Sequence, residues 1–293
     1  MNKTIHKSLI APVLLVSITG LGAASAEAGN PAFRENLWFS AEFFRPQIAG
    51  KRRSTFWAWD SRPASAFNGT LVLGYRLPDS PWSLAFRYNR ETSKTDRHLD
   101  FSTTGRAYRA YDASKESHDV LDFEIGRDIG LGHALPDKAK IRAKMGIRFA
   151  RFSATSRFTG HYTSYGVWLT PYDFDRRSRF KGIGPSIGLE TRIRLGGSLS
   201  VDFEGSAAAL YGRQSYKTYF WSSTSTRKKT IAMNLTGALG ISYKPPGSNF
   251  RISAGYKADA WFNAMRAEKS PGQEGRFDRI YHGPFLRMKI GGN

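Results

Sequence analysis

Apolar and polar residues alternate with period two along most of this chain, and most clearly over residues 181–212, KGIGPSIGLETRIRLGGSLSVDFEGSAAALYG. In the first arm Ile183, Pro185, Ile187, Leu189, Ile193 and Leu195 share one face, and Gly182, Gly184, Ser186, Gly188, Glu190, Arg192 and Arg194 share the other. After Gly196-Gly197 the second arm sets Leu199, Val201 and Phe203 against Ser200, Asp202 and Glu204. Period-two alternation on both sides of a glycine turn predicts an antiparallel β-hairpin. The polar face is unusual because it carries both signs of charge well inside the strands.

The same pattern recurs in about ten segments, near residues 36–45, 67–76, 82–90, 118–128, 139–153, 181–195, 199–212, 230–244, 249–262 and 278–290. Their connections alternate between long polar stretches (46–66, 91–117, 154–178, 213–229, 263–277) and short turns. Small turns at one rim and large loops at the other predict an all-β, transmembrane, antiparallel up-and-down β-barrel, with short periplasmic turns and long extracellular loops. About 9–11 tilted residues cross a bilayer, and these segments are long enough. Only a closed barrel satisfies strand backbone in lipid, so the first and last segments are expected to pair. Pro185 and Pro284 each remove a ladder donor and predict local gaps.

Targeting and charge decide which way the apolar face points. Residues 1–28 combine a basic start (MNKTIHK), an apolar stretch (SLIAPVLLVSITGLG) and small-x-small cleavage options at Ala24-Ser25-Ala26 or Ala26-Glu27-Ala28. This reads as a signal peptide, leaving 29–293 as one barrel domain. The 44 Lys+Arg against 24 Asp+Glu give a net charge of +20. Such a surplus suits nucleic acid or anionic membrane groups; export excludes nucleic acid and selects outer-membrane lipid and lipopolysaccharide as partners. With no cysteine, disulfide frameworks, thiol catalysis and a lipid-modified cysteine are excluded. A soluble barrel would turn its apolar face inward. The alternating connections and the aromatics near strand ends (Trp38, Tyr75, Trp82, Tyr211, Tyr243, Trp261, Phe262) instead favour a lipid-facing apolar band with interfacial girdles.

The polar faces then belong to the lumen. The expected pore-lining cations are Lys140, Arg142, Lys144, Arg148, Arg192 and Arg194, with Arg251, Lys257, Arg287 and Lys289 on the later strands. Asp122, Glu124, Glu190, Asp202, Glu204 and Asp259 compensate in part. Reflection about the turns places Glu124 near Lys144 and Asp202 near Arg192. The pairs Asp122/Glu124 and Asp202/Glu204 have a spacing compatible with acid–base catalysis, since same-face neighbours on a strand lie about 7 Å apart. Cross-strand charge ladders are the simpler account, and no enzyme activity is expected. The GxGxxxG of residues 182–188 lies along a strand with no helix after it, so it opens lumen space rather than cradling phosphate. His98, His118, His133, His161 and His282 lack metal-ligand spacing; no metal or cofactor is expected. The basic runs Lys51-Arg52-Arg53, Arg176-Arg177 and Arg227-Lys228-Lys229 suit phosphate groups of outer-leaflet lipopolysaccharide.

The segments LGYRLPDSPWSLAFRY (73–88), GIGPSIGLE (182–190), ISAGYKADAWF (252–262) and DRIYHGPFLRMKI (278–290) resemble the Legionella-type major-outer-membrane-protein family of pore-forming outer-membrane proteins. The likeness spans most of the mature chain, loops excepted. It implies a barrel in the cell outer membrane of a Gram-negative envelope that acts as a pore. Joined to the basic lumen, it gives the expectation of a porin-like channel for passive diffusion of small, preferentially anionic solutes. The alternatives are a non-conducting structural or adhesive surface barrel that binds a partner through its loops, and a barrel enzyme. Solute identity and a homo-oligomeric state stay open.

Overall fold

The computed structural model describes residues 36–49, 65–103, 106–129, 139–164, 167–220, 222–270 and 273–291. The leader at 1–28, the basic run Lys51-Arg52-Arg53 and His133 lie outside the described residues, as do the side chains of His98 and His161. Eleven strands run in chain order: β1 (Leu37–Phe44), β2 (Gln47–Ala49), β3 (Ser65–Arg76), β4 (Trp82–Thr103), β5 (Arg106–Ile129), β6 (Ala139–Ser164), β7 (Val167–Gly196), β8 (Leu199–Phe220), β9 (Ser222–Tyr243), β10 (Phe250–Ser270) and β11 (Gln273–Gly291). From β3 to β11 each pairs antiparallel with its sequence neighbour, and β1 pairs with β3. The ends then meet, β1 lying on β11 from Trp38↔Gly291 to Phe44↔Phe285. Over that span the sheet is therefore closed into a barrel, as lipid requires.

β1 and β2 occupy one position in the wall. Both pair with β11 in a single register, Phe44↔Phe285 before the break and Gln47↔His282 after it. Pro46, which has no N–H to give, interrupts them; Arg45 N bonds Pro284 O across the gap at 3.2 Å. The barrel thus has ten strands around its circumference. The gap expected at Pro185 is present too: the β7–β8 ladder passes from Ile183↔Tyr211 to Ser186↔Ala208 without pairing between.

The alternation resolves into two faces. Outward positions hold Met145 (59% exposed), Ile187 (65%), Leu195 (62%), Ile231 (58%) and Leu239 (58%), a face that only lipid can cover. Inward positions hold the charged residues. At the short-turn rim the β7–β8 hairpin closes through Gly196 and Gly197, with φ of 137° and 54°, where a side chain would be strained. The other rim departs from expectation. The fading alternation of residues 91–117 predicts a loop, yet β4 and β5 stay paired as far as Thr103↔Arg106. β6 and β7 likewise pair up to Ser164↔Val167, and β8 and β9 up to Phe220↔Ser222. β7 reaches 30 residues, about three times the ~9–11 that cross a bilayer. In the described part of these extensions the buried face is itself largely polar, carrying Ser93, Ser114, Glu116 and Ser178, so no apolar alternation marks them. The ladder itself continues.

Candidate functional site: the lumen

Inward-facing residues fill the lumen in three layers. The first lies at the short-turn mouth. A cavity of about 100 Å³ is lined there by Arg76, Lys140, Arg142, Arg192, Arg287 and Lys289 against Asp128, Glu190, Asp202 and Glu204. Arg194 and Arg251 also stand within electrostatic reach of Lys140. Four of these cations are matched: Arg192 Nε donates to Asp202 at 2.7 Å, Arg142 Nε to Asp128 at 2.6 Å with Arg76 on the same carboxylate, and Arg287 pairs with Glu204 at 2.7 Å. Lys289 instead sits over the Trp38 ring, 4.1 Å from its centroid. The buried Nε of Arg251 has no partner among the described residues. This vestibule keeps a basic surplus.

The second layer crosses the lumen. Lys144 Nζ lies 2.8 Å from Glu190, 3.0 Å from Glu204 and 3.7 Å from Glu124. Arg87 reaches Glu204 at 2.8 Å and Glu124 at 3.6 Å. Arg287 joins Glu204 at 2.7 Å to Glu42, which also accepts from Lys257 at 2.6 Å. Beside this cluster Arg148 holds Asp122 through two bonds of 2.7 and 2.9 Å, and also meets Asn234. Asn234, Thr236 and Trp261 Nε1 all donate to Asp259, at 2.6, 2.9 and 2.9 Å. Asp122 (1% exposed), Glu42 (3%) and Arg148 (5%) are removed from water, so each charge depends on its partner. Gly188 makes room for this layer: a Cβ there would stand 3.2 Å from Lys144 Cε.

The third layer is largely aromatic and lies on the far side of the ion pairs from the vestibule. His118 sits four positions before Asp122 on β5, and Phe152 four after Arg148 on β6, which places both toward the long-strand rim. Their rings stack at 4.7 Å, Trp261 meets Phe152 edge-on at 4.5 Å, and Tyr281 packs on His118 at 5.0 Å. Phe44, Phe180, Leu210 and Met265 belong to the same buried cluster. At its margin Arg279 binds Glu116 at 2.6 Å, where Tyr281 Oη also donates at 3.2 Å. A bulge in β10 positions part of this cap. The β10–β11 register shifts between Trp261 and Met265, with Asn263 at φ 59°. Asn263 is held there by Thr230 Oγ1 at 2.7 Å, Ile231 O at 2.6 Å and Asp278. Trp261, Ala264 and Met265 are all buried.

Every expected lumen residue can now be placed. Glu124, Lys144, Arg148, Asp122, Glu190, Glu204, Arg287, Lys257 and Asp259 meet in the middle layer. Lys140, Arg142, Arg192, Asp202 and Lys289 line the vestibule, with Arg194 and Arg251 near them. The contacts of Glu124 with Lys144 and Asp202 with Arg192 form as the turn geometry predicts. Two aromatics depart from expectation: Trp38 and Trp261, read as girdle residues, face inward. Trp261 shares the inward parity of Lys257 and Asp259 and is 1% exposed, while Trp38 packs against Gly74 and under Lys289. Sequence reasoning missed Glu42 and Arg87, although both share the polar parity of their segments, and it missed Glu116 because that residue falls in an expected loop. The acid pairs Asp122/Glu124 and Asp202/Glu204 are tied up in ion pairs rather than presented to solvent. Among the described residues no cluster of His, Asp or Glu could hold a metal ion.

No curated protein matches the chain. Among solved structures it is similar to the outer membrane protease OmpT of Escherichia coli, with 12% identity over 87% of this chain and 93% of that one and a TM-score of 0.47. It is also similar to a major outer membrane protein of Thermus thermophilus (14% identity, 87% and 98% covered, TM-score 0.36). A third is the KdgM porin, seen in complex with disordered oligogalacturonate (8% identity, 87% and 99% covered, TM-score 0.27). These are likenesses of barrel fold and carry no argument about activity. The family profile described as Legionella pneumophila major outer membrane protein precursor matches residues 18–292. With nearly the whole chain matched and a closed barrel as its fold, the chain belongs to the Legionella major outer membrane protein family, a family of outer-membrane barrels.

Proposed function

We propose that the protein is a narrow outer-membrane channel preferring small anions, whose resting lumen is closed by its own ion pairs and aromatic cap. One observation carries the anion preference: the vestibule surplus, with Lys140, Arg194, Arg251 and Lys289 in no ion pair among the described residues. Cationic rings draw anions into a pore and repel cations. The closure follows from size. Barrels of about eight strands are filled by side chains, and those of 16–18 hold an open aqueous channel. At ten strands the lumen is filled across its middle, so conduction requires the Lys144–Glu204–Arg87 cluster and the Trp261–Phe152 contact to yield. The solute passes as a small anion handed from one cation to the next, without covalent chemistry.

A second reading, a non-conducting surface barrel, is favoured by the same burial of Asp122, Glu42 and Trp261. Solute uptake into liposomes separates the two. Swelling in isotonic potassium gluconate with valinomycin to carry the potassium counter-ion, and in uncharged sugar of similar size, measured for the wild type and for Trp261→Ala/Met265→Ala, reads permeation directly. The channel reading predicts faster swelling with the anion than with the sugar, and a several-fold gain in the cap variant. No uptake of either solute by either protein would establish the non-conducting barrel instead.

A further inference from the structure

Outside the barrel, four cations stand side by side on four adjacent strands. Arg151 of β6 is the register partner of Lys181 of β7, Lys181 of Arg213 on β8, and Arg213 of Lys229 on β9. All four are exposed and face away from the lumen. Each sits two residues from an outward apolar residue of its own strand, namely Phe149 (40% exposed), Ile183 (45%), Tyr211 (56%) and Ile231 (58%). The row therefore begins where the lipid-facing band ends. That edge lies away from the short turns, which places it at the outer leaflet.

Among the described residues no carboxylate forms an ion pair with any of the four cations of the row. Asp119 continues it on β5, opposite Arg151, but is occupied by Tyr88 Oη at 3.0 Å and by Arg90 at 3.9 Å. Like charges directly opposite one another on neighbouring strands repel, so three such contacts in succession favour an anion held between them. Arg179 and Arg227 extend the basic field in the next outward row, with Ser153 and Ser215 as their register partners. Immediately beside the row, Tyr88, Leu121 and Phe149 border an outward cleft of about 330 Å³ on the membrane side, and Arg151, Lys181 and Asp119 border it above. At about 4.8 Å per strand, four strands present cations over about 14 Å. Guanidinium groups bind phosphate with paired hydrogen bonds, and the lysines add point charge.

We propose that Arg151, Lys181, Arg213 and Lys229 form a docking row for the phosphorylated headgroup of an outer-leaflet glycolipid, a bisphosphorylated acylated disaccharide whose acyl chains lie along Phe149, Ile183, Tyr211 and Ile231. The row stands on the strands rather than in the loops. It depends on the membrane orientation of the barrel and not on whether the lumen conducts.

The full-length refolded protein in detergent tests this by its thermal transition, followed through heat-modified gel mobility. Bisphosphorylated lipid A should raise the transition temperature. Enzymatically dephosphorylated lipid A, and inorganic phosphate at the same phosphate concentration, should not. Arg151→Gln/Lys181→Gln/Arg213→Gln/Lys229→Gln should keep the folded mobility and bind bisphosphorylated lipid A at least tenfold more weakly, and high salt should mimic the variant on the wild type. Equal protection by the dephosphorylated lipid would make the site merely apolar and overturn the proposal. Full protection by inorganic phosphate, or unchanged binding in the variant, would overturn it as well. Should the quadruple variant fail to fold, the lipid comparison on the wild type and the Lys181→Gln/Arg213→Gln pair decide.

Discussion

Arg148 and Asp122 show what a charge costs inside this barrel. They share two hydrogen bonds and are both almost fully buried. Removing one partner of such a pair typically costs about 3–5 kcal/mol, because the other is left charged and unsolvated. Arg148→Met should therefore lower the unfolding free energy by about that amount in urea titrations of the lipid-embedded barrel. Arg148→Met/Asp122→Leu should recover most of it, which a simple loss of packing would not do. These contacts are partly legible in the sequence. Residue parity assigns Asp122, Arg148 and Lys144 to the lumen, and turn reflection pairs Asp202 with Arg192. Parity is equally available for Glu42 and Arg87, and for Trp261, which sits on the face of Lys257 and Asp259. An aromatic near a strand end can serve a girdle or a plug, and its parity decides between them.

At the scale of elements, the bulge in β10 is the feature that alternation could not announce. It shifts β10 against β11 between Trp261 and Met265, and Trp261, Ala264 and Met265 form part of the cap. Asn263 tolerates its left-handed φ of 59° and bonds to neighbouring segments on both sides. A β-branched residue there would be strained, so Asn263→Val should cost about 1–3 kcal/mol of stability and raise amide hydrogen exchange around 260–266. Unchanged exchange would show that the bulge is not what holds the cap. Strands that cross the lipid are legible because one face has to be apolar. Their extensions, such as Thr92↔Ser117 onward in the β4–β5 ladder, look like loops in the sequence because the face they bury is polar, with Ser93, Ser114 and Glu116 on it.

For the whole molecule, the membrane barrel follows from alternation and from the long–short rhythm of connections, and its closure follows from the absence of water in the bilayer core. Openness of the lumen does not follow. The number of strands sets the space available, and the size of inward side chains sets what is left of it; only three-dimensional register shows that Lys144, Glu204, Arg87, Arg287 and Glu42 meet across that space. The barrel thus joins a basic vestibule to an ion-paired middle layer and an aromatic cluster, with a second basic surface outside at the edge of the lipid band. The path through the lumen is most directly tested by the reversal potential of single channels in a planar bilayer under a tenfold potassium chloride gradient, for the wild type and for Trp261→Ala/Met265→Ala. A basic vestibule behind a yielding cap predicts anion-selective potentials in both, with brief, small openings in the wild type and larger, longer ones in the variant. A cation-selective potential, or silence in both proteins, would contradict it.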